Sequence, residues 1–405
     1  MEKSFSESIE LVKNIYKFSS EELEILEKVD AAAGELVASE FDHYLKREVN
    51  TDALAIAKKH GILGLPIDKK YGGLGVNPMI SVLAGERFGQ VGLGFSTFFG
   101  ANVMLAGMAV QNWGSDEQKE RYLRRLAAGD IIMAFGLTEP DIGSDPMSLK
   151  TSYEKKGSNY ILNGSKYYIS NGGIANAVVV FARSKTNPAE ISAFIVDTDK
   201  PGFKVEMELK EKIGLFTSDT GMLGFHDLEI PEQNILGSLG NGMLVAYSSI
   251  LYGRLGISSA CTGVMEDCLN STVARAKERI QFGKEIGKHQ LVQEHIAEIA
   301  LNIERARWPT YITALRAIEY LKSPSEDLVR ELDQRSAIAK RIASRAAWES
   351  ADHAVQVFGG FGYSLLSPVG RHYCDTRVTR IFEGTDEIMN LKIASHILGK
   401  GFRAF

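Results

Sequence analysis

The pattern of hydrophobic and polar positions divides the chain into three segments, and the first of them is helical. Up to about residue 132, apolar residues recur three or four positions apart, which predicts amphipathic helices. Ser19 and Glu22 stand three positions apart before such a run, the pattern of a capping box. Ser115 and Gln118 repeat the pattern further on. The first third of the chain is therefore predicted to be helical.

The middle of the chain changes to short runs rich in β-branched and aromatic residues, separated by turns. Such runs predict strands, and a small antiparallel barrel or sandwich is the natural closure for the set. Within YILNGSKYYIS (160–170), Asn163 and Gly164 predict a hairpin turn, because a type I′ turn requires positive φ at both central residues. The other main strands are predicted at 175–184, 191–198 and 222–230.

After Gly242 helical periodicity returns and continues to the end of the chain. Long amphipathic segments occupy 258–280, 289–308 and 326–358. The order of periods predicts an α+β multidomain fold. Its parts are an N-terminal helical domain (1–132), a middle antiparallel β-barrel or sandwich domain (133–238) and a C-terminal helical bundle (239–405).

Composition and charge are those of an ordinary globular protein and argue against a nucleic-acid partner. The 405 residues are 44% hydrophobic and 24% charged, with a formal net charge of −5. No basic block is present, so we expect no nucleic-acid partner. No apolar run approaches the roughly 18 residues of a membrane span. The first residues, MEKSFSESIELVKN, lack the apolar core of a signal peptide.

The cysteines favour a reducing compartment. Cys261, Cys268 and Cys374 form no CxxC pair, and an odd number cannot build a closed intrachain disulfide set. A cytoplasmic location fits this best.

Several common site motifs are absent from the sequence. There is no Walker A sequence and no GxSxG elbow, and neither glycine-rich stretch (92–94, 240–242) completes GxGxxG after a strand. The eight histidines are scattered, and His289 and His295, six positions apart, fall on different helix faces, so we expect no metal site. Any redox chemistry would need a bound organic cofactor.

Four separated stretches together resemble the acyl-CoA dehydrogenase family. They are FGLTEPDIGSD (135–145), YYISNGG (167–173), ERIQFGK with HQLVQ (278–293), and QVFGGFGYS leading to RIFEGTDEI (356–388). KIGLFTSDTGMLGFHDLEIPEQNILG (212–237) is also similar to the exit of that family's middle domain. The joint order covers nearly the whole chain. It implies an FAD-dependent α,β-dehydrogenation of a small or medium acyl thioester, most simply an acyl-CoA.

The resemblance implies that Glu383 is the catalytic base. Desaturating a thioester removes an α-proton to a carboxylate and a β-hydride to flavin N5, while donors hold the thioester oxygen. The Glu383 N–H and a ribityl hydroxyl would be those donors. Phe382 gives the carboxylate an apolar setting, which would raise its pKa toward neutrality. Without the resemblance, Glu383 reads as an acid at a helix N-terminus.

The resemblance also implies a substrate-binding set around the base. Some family members place the base directly before the arginine that here is Arg254, where this chain has Gly253, so Glu383 has no competitor. Arg254 either faces the thioester arm or forms a surface salt bridge. The implied substrate-binding residues are Ser144, Arg254, Phe382 and Gly384.

The implied FAD contacts form two sets. The first lines the flavin through backbone, hydroxyl and aromatic groups; it comprises Phe135, Leu137, Thr138, Gly143, Ser144, Tyr168 and Ser170. The second reaches the pyrophosphate and adenine of a neighbouring subunit, where an arginine offers paired hydrogen bonds; it comprises Arg279, Gln281, Phe282, Gln290, Gln356 and Gly360. Thr385 and Glu387 would close the site near the adenosine, and Glu387 equally reads as a solvated helix-start acid. Shared FAD implies a homo-oligomer, in this family usually a dimer of dimers, with an electron-transfer flavoprotein as electron acceptor.

Two departures from the family pattern leave alternatives open. Asn390 and Ser395 stand where the family often has arginines, which favours considering an acyl-carrier protein instead of CoA as the acyl carrier. An oxygen-using oxidase on the same fold is a further alternative, and a non-catalytic thioester-binding protein is a third. Phe98 and Phe99 either shorten the acyl pocket or belong to the core.

Overall fold

The computed structural model describes residues 9–399 and begins with the predicted helices. Both capping boxes are present: the Ser19 and Ser115 hydroxyls each accept from the backbone N–H three residues on, and Glu22 and Gln118 return the contact. The prediction of an N-terminal helical region is confirmed. Its helices are α1 Ser20–Lys46, α2 Ala53–Lys59, α3 Pro78–Val91, α4 Leu93–Phe99, α5 Met108–Trp113 and α6 Asp116–Ala127.

Between α4 and α5 the helix continues as a π-helical segment, Gly100–Gly107. The whole stretch Leu93–Trp113 is 21 residues long and apolar enough, with a mean hydropathy of 1.5, to pass for a membrane span. The expectation that no run reaches this length is therefore wrong. Since 78% of its apolar window is buried inside the protein, the stretch is a core helix whose apolarity serves packing.

One eight-stranded sheet forms the middle of the molecule, as the prediction of a β region requires. The strand order is β6-β7-β3-β2-β4-β5-β8, and β1 pairs with β4. Most pairings are antiparallel, but β4 pairs in parallel with both β1 and β2. The strands are β1 Met133–Gly136, β2 Ser152–Lys156, β3 Asn159–Ser170, β4 Ala177–Ser184, β5 Ile191–Asp197, β6 Phe203–Glu208, β7 Thr220–Pro231 and β8 Ile235–Leu236.

The predicted hairpin turn at Asn163–Gly164 is wrong. β3 runs straight through these residues, and the ladder with β7 shifts register between Leu162 and Gly164, as at a β-bulge. Gly164 is needed because a Cβ there would lie 2.6 Å from the Thr151 Cα. The turn between β2 and β3 is instead made by Gly157, at φ +64°, and Ser158.

The central strands β4 and β5 are buried on both faces. On β4, Val178 and Val180 point into a core formed by the sheet itself. The alternating residues Val179 and Phe181 join the large core shared with the N-terminal helices. β1 pairs with β4 and packs against both the π-helical segment and β3, and the candidate site lies where these elements meet.

Long helices build the C-terminal region, confirming the predicted bundle. The three longest pack on one another through a core rich in alanine, which allows close approach. β1 begins at Met133 and α7 begins at Gly242, close to the domain limits predicted at residues 133 and 239. The domain limits themselves stay a prediction. The elements are α7 Gly242–Glu278, β9 Ile280–Gln281, β10 Lys284–Glu285, α8 Gln290–Lys322, α9 Glu326–Phe358, α10 Gly370–Thr379 and α11 Asp386–Leu398.

Candidate active site

A mainly apolar cavity of about 190 Å³ lies where the sheet meets the N- and C-terminal helices. Members of the predicted site that line it are Phe135, Leu137, Thr138, Tyr168, Ser170, Phe382 and Glu383. Sequence reasoning missed most of the remaining wall, which comes from α3, α4, the π-helical segment and α7. These residues include Ser81, Gly85, Phe88, Ser96, Gly100, Ala101, Met104, Leu105, Ile250, Gly253, Gly256 and Ile257.

Glu383 is the one acidic residue among the described side chains that line this cavity. It stands in the loop between α10 and α11 with a left-handed φ of +56°. Its Oε2 atom is buried and has no hydrogen-bond partner in the described part of the chain. Burial raises the pKa of Glu383 to about 7, while the charges of Lys340 and Arg254 act in the opposite direction. A carboxylate in this condition is suited to accept a proton near neutral pH.

Gly253 provides the space that the Glu383 carboxylate fills. A Cβ at position 253 would lie 2.6 Å from Glu383 Oε1 and 2.7 Å from Leu105 Cδ2. Both distances are too short for any side chain to be accommodated without movement of its neighbours. Position 253 therefore not only lacks a competing base but also has to stay free of a side chain for Glu383 to occupy its observed position.

Arg254 is buried, so the alternative of a surface salt bridge is wrong. Its Nε donates to the Glu383 carbonyl oxygen at 3.2 Å, and its NH1 lies 3.3 Å from Asp333 Oδ1. Asp333 also binds Lys392 at 2.6 Å and His396 at 3.0 Å. Arg254 thus holds the backbone of the base, and this network partly balances its charge.

Lys340 of α9 was not identified from the sequence. It is fully buried, and its Nζ donates to the Gly384 carbonyl oxygen at 2.6 Å. A signal for it exists, because it stands at helical spacing among Ser336, Ala343 and Ser344 on a buried face of small residues. A lysine on such a face cannot reach solvent and needs an internal partner.

One wall of the same cavity is formed by the end of β1 and by β3, and hydrogen bonds from β3 hold its backbone. Tyr168 has a left-handed φ of +59°, and its ring is 57% exposed although the neighbouring strand is buried. The Tyr167 N–H donates to the Thr138 carbonyl oxygen, and buried Lys166 donates to that of Leu137 at 3.0 Å. The backbone that lines the cavity is therefore held by β3.

Several predicted residues lie away from the cavity lining. Gly143 and Ser144 are exposed in the loop after β1. Thr385 caps α11, since its side chain accepts a hydrogen bond from the Ile388 N–H. Glu387 is exposed in the first turn of that helix, which agrees with the alternative of a solvated acid at a helix start. Gly384, at φ +100°, contributes its carbonyl to Lys340.

Phe98 and Phe99 have different surroundings. Phe99 lines the cavity, whereas Phe98 packs near Phe95 in the core and its carbonyl accepts from Asn171. Of the two, only Phe99 is placed to limit the cavity.

The second predicted set gathers at a separate, exposed end of the C-terminal bundle. The β9–β10 hairpin, the start of α8 and the end of α9 meet there around a small cluster of Ala276, Ile286 and Val357. Large apolar side chains at this end face solvent, with Phe282 93% and Tyr363 91% exposed. The residues gathered there are Arg279, Gln281, Phe282, Gln290, Gln356 and Gly360, and all are exposed or lie at the surface.

The cavity residues fit an FAD flavin ring system. An apolar cleft, the exposed ring of Tyr168 and the braced backbone of Leu137 and Thr138 offer a flat surface and polar main-chain groups. The unpartnered Oε2 of Glu383 faces the same cavity. The exposed Arg279 end, by contrast, offers cationic and amide groups suited to a pyrophosphate and a base.

Family models match almost the entire chain. The N-terminal domain of acyl-CoA dehydrogenase matches residues 19–130, the middle domain 134–228 and the C-terminal domain 240–398. The acyl-CoA dehydrogenase of Bacillus subtilis (strain 168) is 35% identical over 399 residues, covering 97% of this chain and 98% of the relative. The short-chain specific acyl-CoA dehydrogenase of Megasphaera elsdenii is 37% identical, covering 81% and 85%.

Solved structures give the same fold. An acyl-CoA dehydrogenase from Bacillus anthracis complexed with FAD has a TM-score of 0.88 at 29% identity, covering 94% of this chain and 67% of its own. A chain in the structure of the electron transferring flavoprotein of Acidaminococcus fermentans scores 0.89 at 33% identity, covering 95% and 100%. The prolyl acyl carrier protein oxidase AnaB scores 0.86 at 29% identity, again covering 95% and 100%.

Proposed function

This chain belongs to the acyl-CoA dehydrogenase family of flavin oxidoreductases, and we propose that it oxidises a short acyl-CoA at the Cα–Cβ bond with Glu383 as the base. The observation that carries the proposal is the buried Glu383 Oε2 atom, which has no partner among residues 9–399 and lies in an apolar cavity also lined by Tyr168 and Ser170. The small cavity and the similarity to a short-chain enzyme support a short acyl group.

Glu383 takes the α-proton of the bound thioester. Its pKa of about 7 means that the ionised form becomes the major one as the pH rises through neutrality. Its buried Oε2 atom has no hydrogen-bond donor among the described residues and is therefore free to accept that proton. When bound, oxidised FAD supplies the acceptor for the β-hydride. The Glu383 N–H has no acceptor among the described residues and is available to the thioester oxygen.

We propose that the exposed Arg279 end binds FAD together with a second copy of the chain, giving a homotetramer built as a dimer of dimers. Exposed Phe282 and Tyr363 support this, since apolar side chains of this size are usually covered by a partner. We also propose that an electron-transfer flavoprotein accepts the electrons. The proposed location is the cytoplasm. The three free cysteines support that location.

A carrier-protein substrate is the second candidate, and two observations favour considering it. Asn390 accepts from Arg341 and Ser395 donates to Leu391 O, so neither offers a cation to a nucleotide phosphate. The similarity to a prolyl acyl carrier protein oxidase points the same way and raises oxygen as the electron acceptor.

Anaerobic bleaching of the flavin tests both candidates. The holoenzyme would be mixed with acyl-CoAs of increasing length and with the same acyl groups on an acyl-carrier protein. Rapid bleaching by a short acyl-CoA supports the proposal, whereas bleaching only by carrier-bound acyl groups supports the second candidate. Admitting air to the reduced enzyme then separates a dehydrogenase, which reoxidises slowly, from an oxidase. No bleaching by any thioester would contradict both.

A further inference from the structure

Lys340 is a buried cation in the wall behind the base. Its side chain is fully buried on α9, and its Nζ donates a hydrogen bond to the Gly384 carbonyl oxygen at 2.6 Å. No carboxylate lies within ion-pair distance of its Nζ among residues 9–399. Burying an ammonium group without a paired anion is costly, so the position requires a compensating role.

The Glu383–Gly384 segment is held by two cations from different helices. Arg254 of α7 donates to the Glu383 carbonyl oxygen, and Lys340 of α9 donates to the next carbonyl along the chain. Glu383 and Gly384 themselves have left-handed backbone conformations, with φ of +56° and +100°. A glutamate in this conformation is strained by about 1 kcal/mol or more, and it persists only if its surroundings fix it.

The two cations differ in how their charge is balanced. Arg254 faces Asp333, which also binds Lys392 and His396. The charged and titratable groups near Lys340 are Glu383, Asp386, Cys261 and Arg254. Asp386 is already bound to Arg380 at 2.7 Å, and burial raises the pKa of the Cys261 thiol to about 12, so that thiol is neutral. The Lys340 charge is therefore left to act on Glu383.

From this geometry we infer that Lys340 is a positioning residue for the base: it fixes the Glu383–Gly384 backbone so that the carboxylate turns toward Gly253, and its charge stabilises the ionised carboxylate. The inference rests on the proposed role of Glu383. It is supported by the opposing effects on that group, since burial raises the pKa of Glu383 and Lys340 lowers it. Burial lowers the pKa of Lys340 to about 8, so both groups are charged between about pH 7 and 8.

Three substitutions separate the two parts of this role. Lys340→Met removes both the charge and the donor, Lys340→Gln keeps an N–H donor without charge, and Lys340→Arg keeps both. The measurement is the pH dependence of anaerobic flavin reduction in the FAD-loaded enzyme. With Met or Gln, the midpoint of the rise in rate should move to higher pH by about 1 unit or more. With Arg it should stay near that of the unaltered enzyme.

The donor effect is read above the shifted midpoint, where the base is ionised in every variant. There Lys340→Met should remain slower than Lys340→Gln, because only Gln can still hold the Gly384 carbonyl oxygen. Lys212→Met is the matched control. Lys212 is a half-buried lysine that also donates to a backbone carbonyl, that of Ser218, and burial lowers its pKa to about 8. Its loss should leave the midpoint unchanged.

The results distinguish the Lys340 role from the proposed function. If Glu383→Gln is nearly inactive but the Met and Gln variants keep the original midpoint, the Lys340 role is overturned and the base assignment stands. If Glu383→Gln reduces flavin at a near-normal rate, the proposed function itself fails. Should Lys340→Met not fold, the comparison of Lys340→Gln with Lys340→Arg decides the charge effect alone.

Discussion

The two ends of the implied FAD site differ in how much of each is built by one chain. The cavity around Glu383 is enclosed by the sheet, the N-terminal helices and the bundle, and its backbone is held by buried cations. The Arg279 end is an exposed surface that leaves Phe282 almost fully in solvent. The proposed function therefore assigns the chemistry to residues of one chain and the retention of the cofactor to a second copy.

Adding a methyl group at Gly253 should damage the enclosed end most. In Gly253→Ala the new Cβ would meet Glu383 Oε1 at 2.6 Å and force the carboxylate to move. A displacement of this kind lowers the rate of anaerobic flavin reduction by about 10²-fold. Gly256→Ala on the same helix is the control, because its nearest contact would be Met104 at an ordinary 3.8 Å. Equal effects of the two substitutions would show that the space at Gly253 is not specific to the base.

Removing Arg279 should affect the exposed end instead. Arg279→Ala should weaken FAD binding by about 10-fold or more, the usual loss of a charged hydrogen bond, while fully loaded enzyme reduces its flavin at a normal rate. Fluorescence titration of the apoenzyme with FAD measures the affinity. Lys284→Ala removes an exposed cation from the same hairpin and should change it little. Unchanged affinity in Arg279→Ala would contradict the assignment of this surface to FAD.

Shortening Met104 tests whether the enclosed cavity sets the acyl length. Met104 and Ser81 line both this cavity and a neighbouring one of about 450 Å³. Met104→Ala should join the two and shift the preference toward longer acyl groups by several-fold in kcat/KM. Met108 lines only the second cavity, so Met108→Ala should keep the original preference. A shift of the same size in both variants would exclude Met104 as the boundary.

The raised pKa of Glu383 also has a small effect on stability. Because the folded protein keeps a proton on Glu383 that the unfolded chain loses above about pH 4.5, its stability falls as the pH rises toward 7. Glu383→Gln removes this effect. At equal FAD saturation its Tm should exceed that of the unaltered enzyme by a few degrees at pH 8 and converge with it at pH 5. A lower Tm at pH 8 would contradict the burial of a costly carboxylate.

Much of the fold followed from local pattern, and the failures have a physical reason. The capping boxes depend on contacts within three residues, so Ser19 and Ser115 were identified correctly. The turn predicted at Asn163–Gly164 is wrong because glycine is needed at position 164 for another reason: the Thr151 backbone packs too close for a Cβ. The prediction that no apolar run is long enough to span a membrane failed at Leu93–Trp113, and only the burial of this helix in the fold distinguishes it from a span.

In the candidate site too, residues within a local motif were predicted, whereas roles that depend on distant contacts were not. The motif around Glu383 indicated the base, and the structure places it in a cavity with Phe135, Tyr168 and Ser170. Arg254 was left open between a site residue and a surface residue, because burial depends on packing between α7, α9 and α11. The helical spacing of Lys340 among small residues indicated that it is buried, but its partner, the Gly384 carbonyl oxygen 44 residues away, could not be identified from the sequence.

The most direct test of the account is anaerobic flavin reduction by the preferred acyl thioester in Glu383→Gln. Gln keeps the shape of the side chain but cannot accept the α-proton. If Glu383 is the base, the rate should lie at least ~10²-fold below that of the unaltered enzyme, with FAD still bound and its spectrum unchanged. A near-normal rate with full FAD content would contradict it, because the proton would then have another acceptor.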